Sequence, residues 1–195
     1  MSHISKDEVI LAFLRAEYES NRFGSKISKM LIDLDRDKSL LFDANLKDNS
    51  ENIDRRKIMS ESRGYPDRSL FHGFPRDVIW EVEDLTLDQL SKLYVIKQGK
   101  WIHWTNETRM SREVLTYMSK TALLDAELDN ISGIVDRIKN GESFPPVILV
   151  GTARDHLVIL EGHMRIISYL VVADGSITVK AYIGMSPSMG KWHWY

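Results

Sequence analysis

The chain has 195 residues, no cysteine and a formal net charge of −2, from 26 basic and 28 acidic side chains. The lack of cysteine excludes disulfides, thiolate catalysis and cysteine-ligated metal sites, and the charge balance argues against strong non-specific binding of nucleic acid. No apolar run approaches the ~20 residues of a membrane span, and the first residues lack the pattern of a secretory signal. We therefore expect a soluble cytoplasmic protein with no membrane contact.

The first part of the chain predicts helices separated by loops. Ser5 is followed three residues later by Glu8 and then by an apolar run, which is a helix-start pattern. Ile27 and Leu31 belong to a second apolar series at helical spacing. Residues 35–62 are polar, and we expect loops with short helices at most. These patterns predict a helical, loop-rich region over 1–75 and a core over 76–195 that ends in an aromatic tail.

Residues 63–80 form a predicted loop, because they hold two glycines and two prolines. Arg63 and Arg68 stand among aromatic residues in this stretch. Arginines beside aromatic rings suit the recognition of anionic or planar groups. The alternative is a connector whose rings pack onto the core. Both interpretations stay open at the level of the sequence.

The rest of the chain predicts short helices and strands in alternation. The elements expected before the last third are a helix capped by Asp84 or Thr86, a strand at 94–96, a half-buried strand at 101–106, a helix from about Ser111, and a helix capped by Asn130 or Ser132 that Gly141 ends. The last third predicts strands at 147–150, 157–160 and 177–183, with a helix between Gly162 and Gly175. Together they predict an α+β fold, a small mixed sheet with packed helices after a mainly helical N-terminal region.

The junction between the second of these strands and the helix carries most of the chemistry. A helix that begins after Gly162 exposes backbone N–H groups that bind anions. Arg165 adds a guanidinium fork for phosphate oxygens, and His163 can donate to phosphate or move a proton near neutral pH. Glu161 repels phosphate unless it binds a metal ion, accepts a substrate proton or accepts from a ribose hydroxyl. The alternative is an ordinary turn with Arg165 at the surface.

Residues 131–183 resemble the shared core of the ParB and sulfiredoxin superfamily, which includes kinases of free serine. The similar features are the order of the elements and the motif from Glu161 to Arg165, "EGHMR". The chain lacks the cysteine that sulfiredoxins carry in this turn, so their chemistry is excluded. ParB partition proteins carry a basic helix-turn-helix domain after the core, whereas an aromatic tail follows here, so we do not expect chromosome partitioning.

The resemblance implies a nucleotide site that binds ATP, ADP or CTP with Mg²⁺, and Gly162, His163 and Arg165 would be its phosphate cradle. Arg63 and Arg68 would close over the ligand from their loop. The first hypothesis is thus a nucleotide-binding protein, or a Mg²⁺-dependent phosphotransferase acting on a small-molecule acceptor. The residues considered for catalysis are Glu161 and His163, with Glu107 and Glu83 as weaker candidates to orient the acceptor. No protein residue is predicted as a metal ligand, since the six histidines are widely spaced.

Two other functions compete with the nucleotide hypothesis. A nucleic-acid-binding or DNA-processing protein would use basic and aromatic side chains for phosphate contacts and stacking. The residues available for this are Arg109, Arg112, Trp101, His103 and Trp104. A non-enzymatic interaction module would use the C-terminal tail, residues 192–195, to form a homo-oligomer. We expect the tail to dock on its own core first.

Overall fold

The computed structural model describes residues 2–120 and 126–195, and its fold is α+β, as predicted. The strands are β1 (Ser2–Ile4), β2 (Ile79–Thr86), β3 (Val147–Ala153), β4 (His156–Glu161) and β5 (Thr178–Met185). The helices are α1 (Lys6–Glu17), α2 (Gly24–Asp33), α3 (Ser39–Phe42), α4 (Asn49–Arg63), α5 (Leu87–Ser91), α6 (Gly99–Trp104), α7 (Glu113–Lys120), α8 (Ala126–Lys139) and α9 (His163–Val172). Within those described ranges, no helix is long and apolar enough to cross a membrane.

One mixed sheet, in the order β1-β2-β5-β3-β4, organises these elements. β3 and β5 are parallel, and the other neighbouring pairs are antiparallel. The parallel pair requires a crossover, which β4 and α9 supply. β1 comes from the start of the chain and pairs with β2 through Ser2 and Val82. The N-terminal region therefore contributes an edge strand to the sheet as well as its helices.

Helices cover both faces of the sheet. Alternate side chains of a strand point to opposite sides, so neighbouring residues of one strand contact different helices. Ile148 of β3 lines an apolar cavity with Val9 and Ile10 of α1. The preceding residue, Val147, lies beside Gly162 at the start of α9. The strand-to-helix junction thus packs between the sheet and its helices, with Glu161 buried and residues 162–165 half-buried.

The helices predicted near the N-terminus are confirmed, but the loops predicted at 35–62 are wrong. The Ser5 hydroxyl caps α1 by accepting the Glu8 backbone N–H at 3.1 Å. Inside the supposed loop, α4 runs for 15 residues. Its interior is polar: Arg55 is fully buried and donates to the carbonyl oxygens of Leu40 and Asn45. A helix held by such contacts lacks the apolar periodicity from which helices are predicted.

The middle of the chain corrects two predicted strands. Residues 94–96 form no regular strand, since Tyr94 makes only isolated bridges to Met110 and Val158. The segment predicted as a half-buried strand is α6, whose Trp101 and Trp104 are both buried. Residues three apart share a helical face, so two tryptophans at this spacing also fit a helix.

Other corrections concern where elements start. β2 was not predicted, because its charged side chains interrupt the apolar alternation. Thr86 caps α5 through a capping box with Gln89, which confirms one of the two predicted caps. Asn130 and Ser132 lie inside α8, so neither caps it.

The last third matches its prediction. β3, β4, α9 and β5 occur where expected, although α9 ends at Ala173, in a left-handed conformation, rather than at Gly175. The tail docks on its own core: Trp192 is 2% exposed, and its ring nitrogen donates to the carbonyl oxygen of Leu70 at 2.6 Å. The Trp192 ring also meets Phe74 edge-on, with the centroids 5.4 Å apart.

Candidate functional site

Two arginines from the N-terminal region converge on Glu161, which is 7% exposed at the end of β4. Arg63, the last residue of α4, approaches Glu161 Oε1 with Nε at 2.8 Å and Nη2 at 2.6 Å. Arg22 Nη2 lies 3.4 Å from Glu161 Oε2 and 3.1 Å from Glu17 Oε1. We call Glu17, Arg22, Arg63 and Glu161 the arginine–glutamate cluster. It joins the loop after α1, the end of α4 and the end of β4.

The ring of Phe23 supports both guanidinium groups of the cluster. The Arg22 and Arg63 guanidinium carbons lie 4.6 Å and 5.3 Å from its centroid, within the range of cation–π attraction. Gly64, with φ of 90°, ends α4 directly after Arg63. This left-handed cap turns the chain away from the axis of α4. Arg63 therefore stays at the end of the helix that faces Glu161.

Gly162 makes the turn between β4 and α9 in a conformation that favours glycine, with φ of 101°. A Cβ atom at this position would lie 2.8 Å from Cγ1 of Val147. We expect Gly162→Ala to destabilise the fold by about 1–2 kcal/mol from the left-handed backbone, with the steric contact adding to this. Urea unfolding of the variant and of Gly133→Ala, where a Cβ atom meets nothing within 4 Å, measures the effect. Equal stability of the two variants would contradict this account.

His163 is the first residue of α9, and its ring stacks on Trp101 with centroids 4.6 Å apart and planes 23° apart. Burial, together with the nearby cations Arg63, Arg22 and Lys100, lowers the pKa of His163 to about 3. A pKa this low favours a neutral imidazole at pH 7, whereas the sequence predicts proton transfer near neutral pH. A neutral ring donates one hydrogen bond and accepts another.

Arg165 lies one turn into α9 and holds the segment before β3. Its Nη1 donates to the carbonyl oxygens of Pro145 and Pro146. Burial lowers the pKa of Arg165, while Glu161 and Glu17 raise it. Arg165 is therefore within electrostatic reach of the cluster, and part of its guanidinium fork already has backbone partners.

Some predicted site residues have partners outside the cluster. Arg68 is exposed and donates to Glu61 at 2.9 Å and to the carbonyl oxygen of Ser60 at 3.1 Å. Glu83, on β2, pairs with Arg154 at 2.9 Å. Glu107 follows α6 in a left-handed conformation. The structure thus brings Arg63 to the EGHMR turn and gives Arg68 and Glu83 other ion-pair partners.

Two members of the cluster, Glu17 and Arg22, were not predicted. Glu17 is the last residue of α1, and Arg22 lies in the loop before α2, where no motif marks them. Lys100 was also missed: its Nζ lies 5.3 Å from the centroid of Trp101, which in turn stacks on His163. Arg22 and Lys100 lie between predicted elements, which suggests exposed basic side chains. The sequence holds no other signal for these two residues.

Of the five residues considered for nucleic-acid binding, Trp101, Trp104 and Arg109 pack against the core, whereas His103 and Arg112 are exposed. Trp101 and Trp104 are 4% and 7% exposed, so their faces are covered. Arg109 donates to the carbonyl oxygens of Val95 and Tyr195, and burial lowers its pKa. These contacts tie the C-terminal tail to the core and leave little of the three side chains for stacking or phosphate contacts.

An apolar cavity adjoins the cluster on the side of α1. Side chains of α1, α4, the 65–80 segment and the sheet surround it, and Glu161 is one of its lining residues. The described residues contain no group of three or more histidine, aspartate or glutamate side chains arranged to hold a metal ion.

Comparison of the chain with protein-family models, with curated proteins and with solved structures found no match. The resemblance to the ParB and sulfiredoxin superfamily therefore stays a prediction from residues 131–183 and the EGHMR motif.

Proposed function

We propose that the protein binds the phosphate groups of a nucleotide at the turn between β4 and α9. The observation that carries the proposal is that Arg22, Arg63 and Lys100, from three separate parts of the chain, lie around the start of α9. The two arginines contact Glu161, and Lys100 lies over the Trp101 ring that stacks on His163. Cations gathered at a helix N-terminus favour an anion there, because the helix dipole and the side chains act in the same direction.

The charged side chains around the turn have a net positive charge, which favours an anion. Arg22, Arg63 and Arg165 supply three positive charges, and Glu17 and Glu161 supply two negative charges. This excess of positive charge favours an anion such as a phosphate group. Arg22 is the most accessible member of the cluster, with its side chain 56% exposed. A phosphate approaching from solvent meets Arg22 first.

Phosphoryl transfer to a small-molecule acceptor is the enzymatic form of this proposal. Positioning and charge neutralisation dominate such reactions, and Mg²⁺ bridges the phosphates. Glu161 accepts hydrogen bonds from both arginines. A phosphate that draws Arg22 towards itself frees Glu161 Oε2 to orient an acceptor hydroxyl. Neutral His163 contributes by hydrogen bonding rather than by charge.

A thermal-shift screen with ATP, ADP, CTP and GTP, with and without Mg²⁺, tests the proposal. A ligand at 100 times its Kd stabilises the native state by about 2.7 kcal/mol, so at least one nucleotide should raise Tm. We expect Arg22→Gln to bind that nucleotide at least about tenfold more weakly, because a charge-assisted hydrogen bond is lost.

Arg137→Gln is the matched control, since Arg137 is also about half exposed and pairs with Glu142 on another surface. It should bind like the wild type. No shift with any nucleotide, or equal affinity of the two variants, would contradict a phosphate site at this turn.

A further inference from the structure

Two buried polar atoms beside the cluster have no hydrogen-bond partner within the described part of the chain. They are Glu17 Oε2 and His163 Nε2. A buried polar atom without a partner costs free energy, and native structures satisfy nearly all such atoms. Two unsatisfied atoms, one in the arginine–glutamate cluster and one at the start of α9, therefore point to a ligand with polar groups of its own.

Both atoms border the turn where the phosphate is proposed to bind. The other oxygen of Glu17 accepts from Arg22 at 3.1 Å, and the same arginine reaches Glu161 at 3.4 Å. His163 is two residues after Glu161, and its ring stacks on Trp101 at the start of α9. An anion held by Arg22 would thus lie next to Glu17 and close to the start of α9.

The chemistry of the two atoms selects the group that they bind. An ionised carboxylate only accepts hydrogen bonds, so Glu17 Oε2 requires a donor. The Nε2 atom of a neutral imidazole donates or accepts according to its tautomer, and a hydroxyl group matches either state. Glu161 is less suited to this role, because Arg63 holds its Oε1 and its Oε2 is the atom proposed to orient an acceptor hydroxyl.

We infer that the ligand is a phosphate ester with a free hydroxyl group, such as a ribonucleotide, and that Glu17 Oε2 accepts the hydrogen bond of that hydroxyl. His163 Nε2 takes the neighbouring hydroxyl of the same sugar. This inference rests on the proposed function. It assigns specificity to Glu17, which belongs to the N-terminal region and not to the stretch that carries the family resemblance.

Binding of matched nucleotides tests the assignment. The probes are ATP and CTP, their 2′,3′-dideoxy forms, and inorganic tripolyphosphate, which has the anion without the sugar. In the wild type, the ribose form should bind about tenfold more tightly than its dideoxy form, because the dideoxy form lacks the hydroxyl that donates a hydrogen bond to the charged Glu17. Isothermal titration calorimetry on the full chain measures each Kd.

Glu17→Gln should remove this preference, because an amide nitrogen can replace the accepting oxygen and the charge is lost. The same variant should bind tripolyphosphate as tightly as the wild type or more tightly, since one negative charge next to the anion is gone. A purely structural effect would weaken all probes by one common factor. Arg22→Gln provides that comparison, because it should weaken every probe, including tripolyphosphate.

The outcomes separate the inference from the proposed function. Equal binding of ribose and dideoxy forms by the wild type, or an unchanged preference in Glu17→Gln, overturns the role of Glu17 and leaves the phosphate site standing. A failure of all probes, tripolyphosphate included, overturns both.

Discussion

Arg63→Met is expected to lower the free energy of unfolding by about 3 kcal/mol. Removing one partner of a buried ion pair leaves a charge without compensation, and the side chain of Glu161 is only 9% exposed. Arg22 would remain as its partner, at the longer distance of 3.4 Å. Methionine keeps much of the length of the arginine side chain, so the change tests charge more than packing. Urea unfolding followed by circular dichroism measures the loss.

The matched control is Arg68→Met, which removes an arginine that follows the same helix. Arg68 and its partner Glu61 have side chains 60% and 49% exposed, and exposed pairs contribute about 1 kcal/mol or less. Adding Glu161→Gln to Arg63→Met should recover a large part of the lost stability, because the unpaired charge disappears. If the double variant is no more stable than Arg63→Met, the loss does not come from the charge of Glu161.

The cluster shows why some residues of the site could be predicted from the sequence and others could not. Glu161, Gly162, His163 and Arg165 are neighbours in the chain, and the change from an apolar run to a helical pattern marks them. Short-range patterns of this kind also predicted β3, β4, α9 and β5. These predictions agree with the structure because the local sequence pattern is strong. The residues of β3 and β4, for example, are mostly apolar and buried.

Long-range contacts account for what the sequence analysis missed. Arg22 lies 139 positions from Glu161, and Arg63 lies 98 positions from it. No period or spacing encodes such a meeting. The helix α4 that delivers Arg63 was hidden for a related reason, because the fully buried Arg55 takes a place that an apolar residue usually fills. Where polar contacts replace apolar packing, the hydrophobic pattern loses its predictive value.

The same contacts change how His163 is understood. From the sequence, His163 was expected to have the ordinary role of histidine, which is to exchange protons near neutral pH. In the structure, the stack on Trp101 and the nearby guanidinium groups keep the ring neutral. The N-terminal region therefore contributes, through Arg22 and Arg63, to the charge around the turn and to the lowered pKa of its histidine. This coupling leads to a prediction about stability that needs no ligand.

Wild-type stability should fall between pH 6.5 and pH 3 in a way that depends on His163. The pKa is about 3 in the folded protein, against an ordinary value of 6.5. Between these values the unfolded chain binds a proton that the folded chain does not, so acid favours unfolding. At pH 4.5, two units below the ordinary value, the loss relative to pH 7 is about 2–3 kcal/mol. Urea unfolding at pH 7.0, 5.5 and 4.5 measures it.

His163→Gln should reduce this loss by the same amount, because glutamine does not titrate, while the carboxylates contribute to both proteins. His193→Asn is the control, since His193 is exposed and this variant should follow the wild type at every pH. Parallel profiles for the wild type and His163→Gln would mean that the imidazole titrates normally in the folded state. The ring would then be accessible to protons, and His163 would be available for acid–base chemistry near neutral pH, which the stacked and buried geometry argues against.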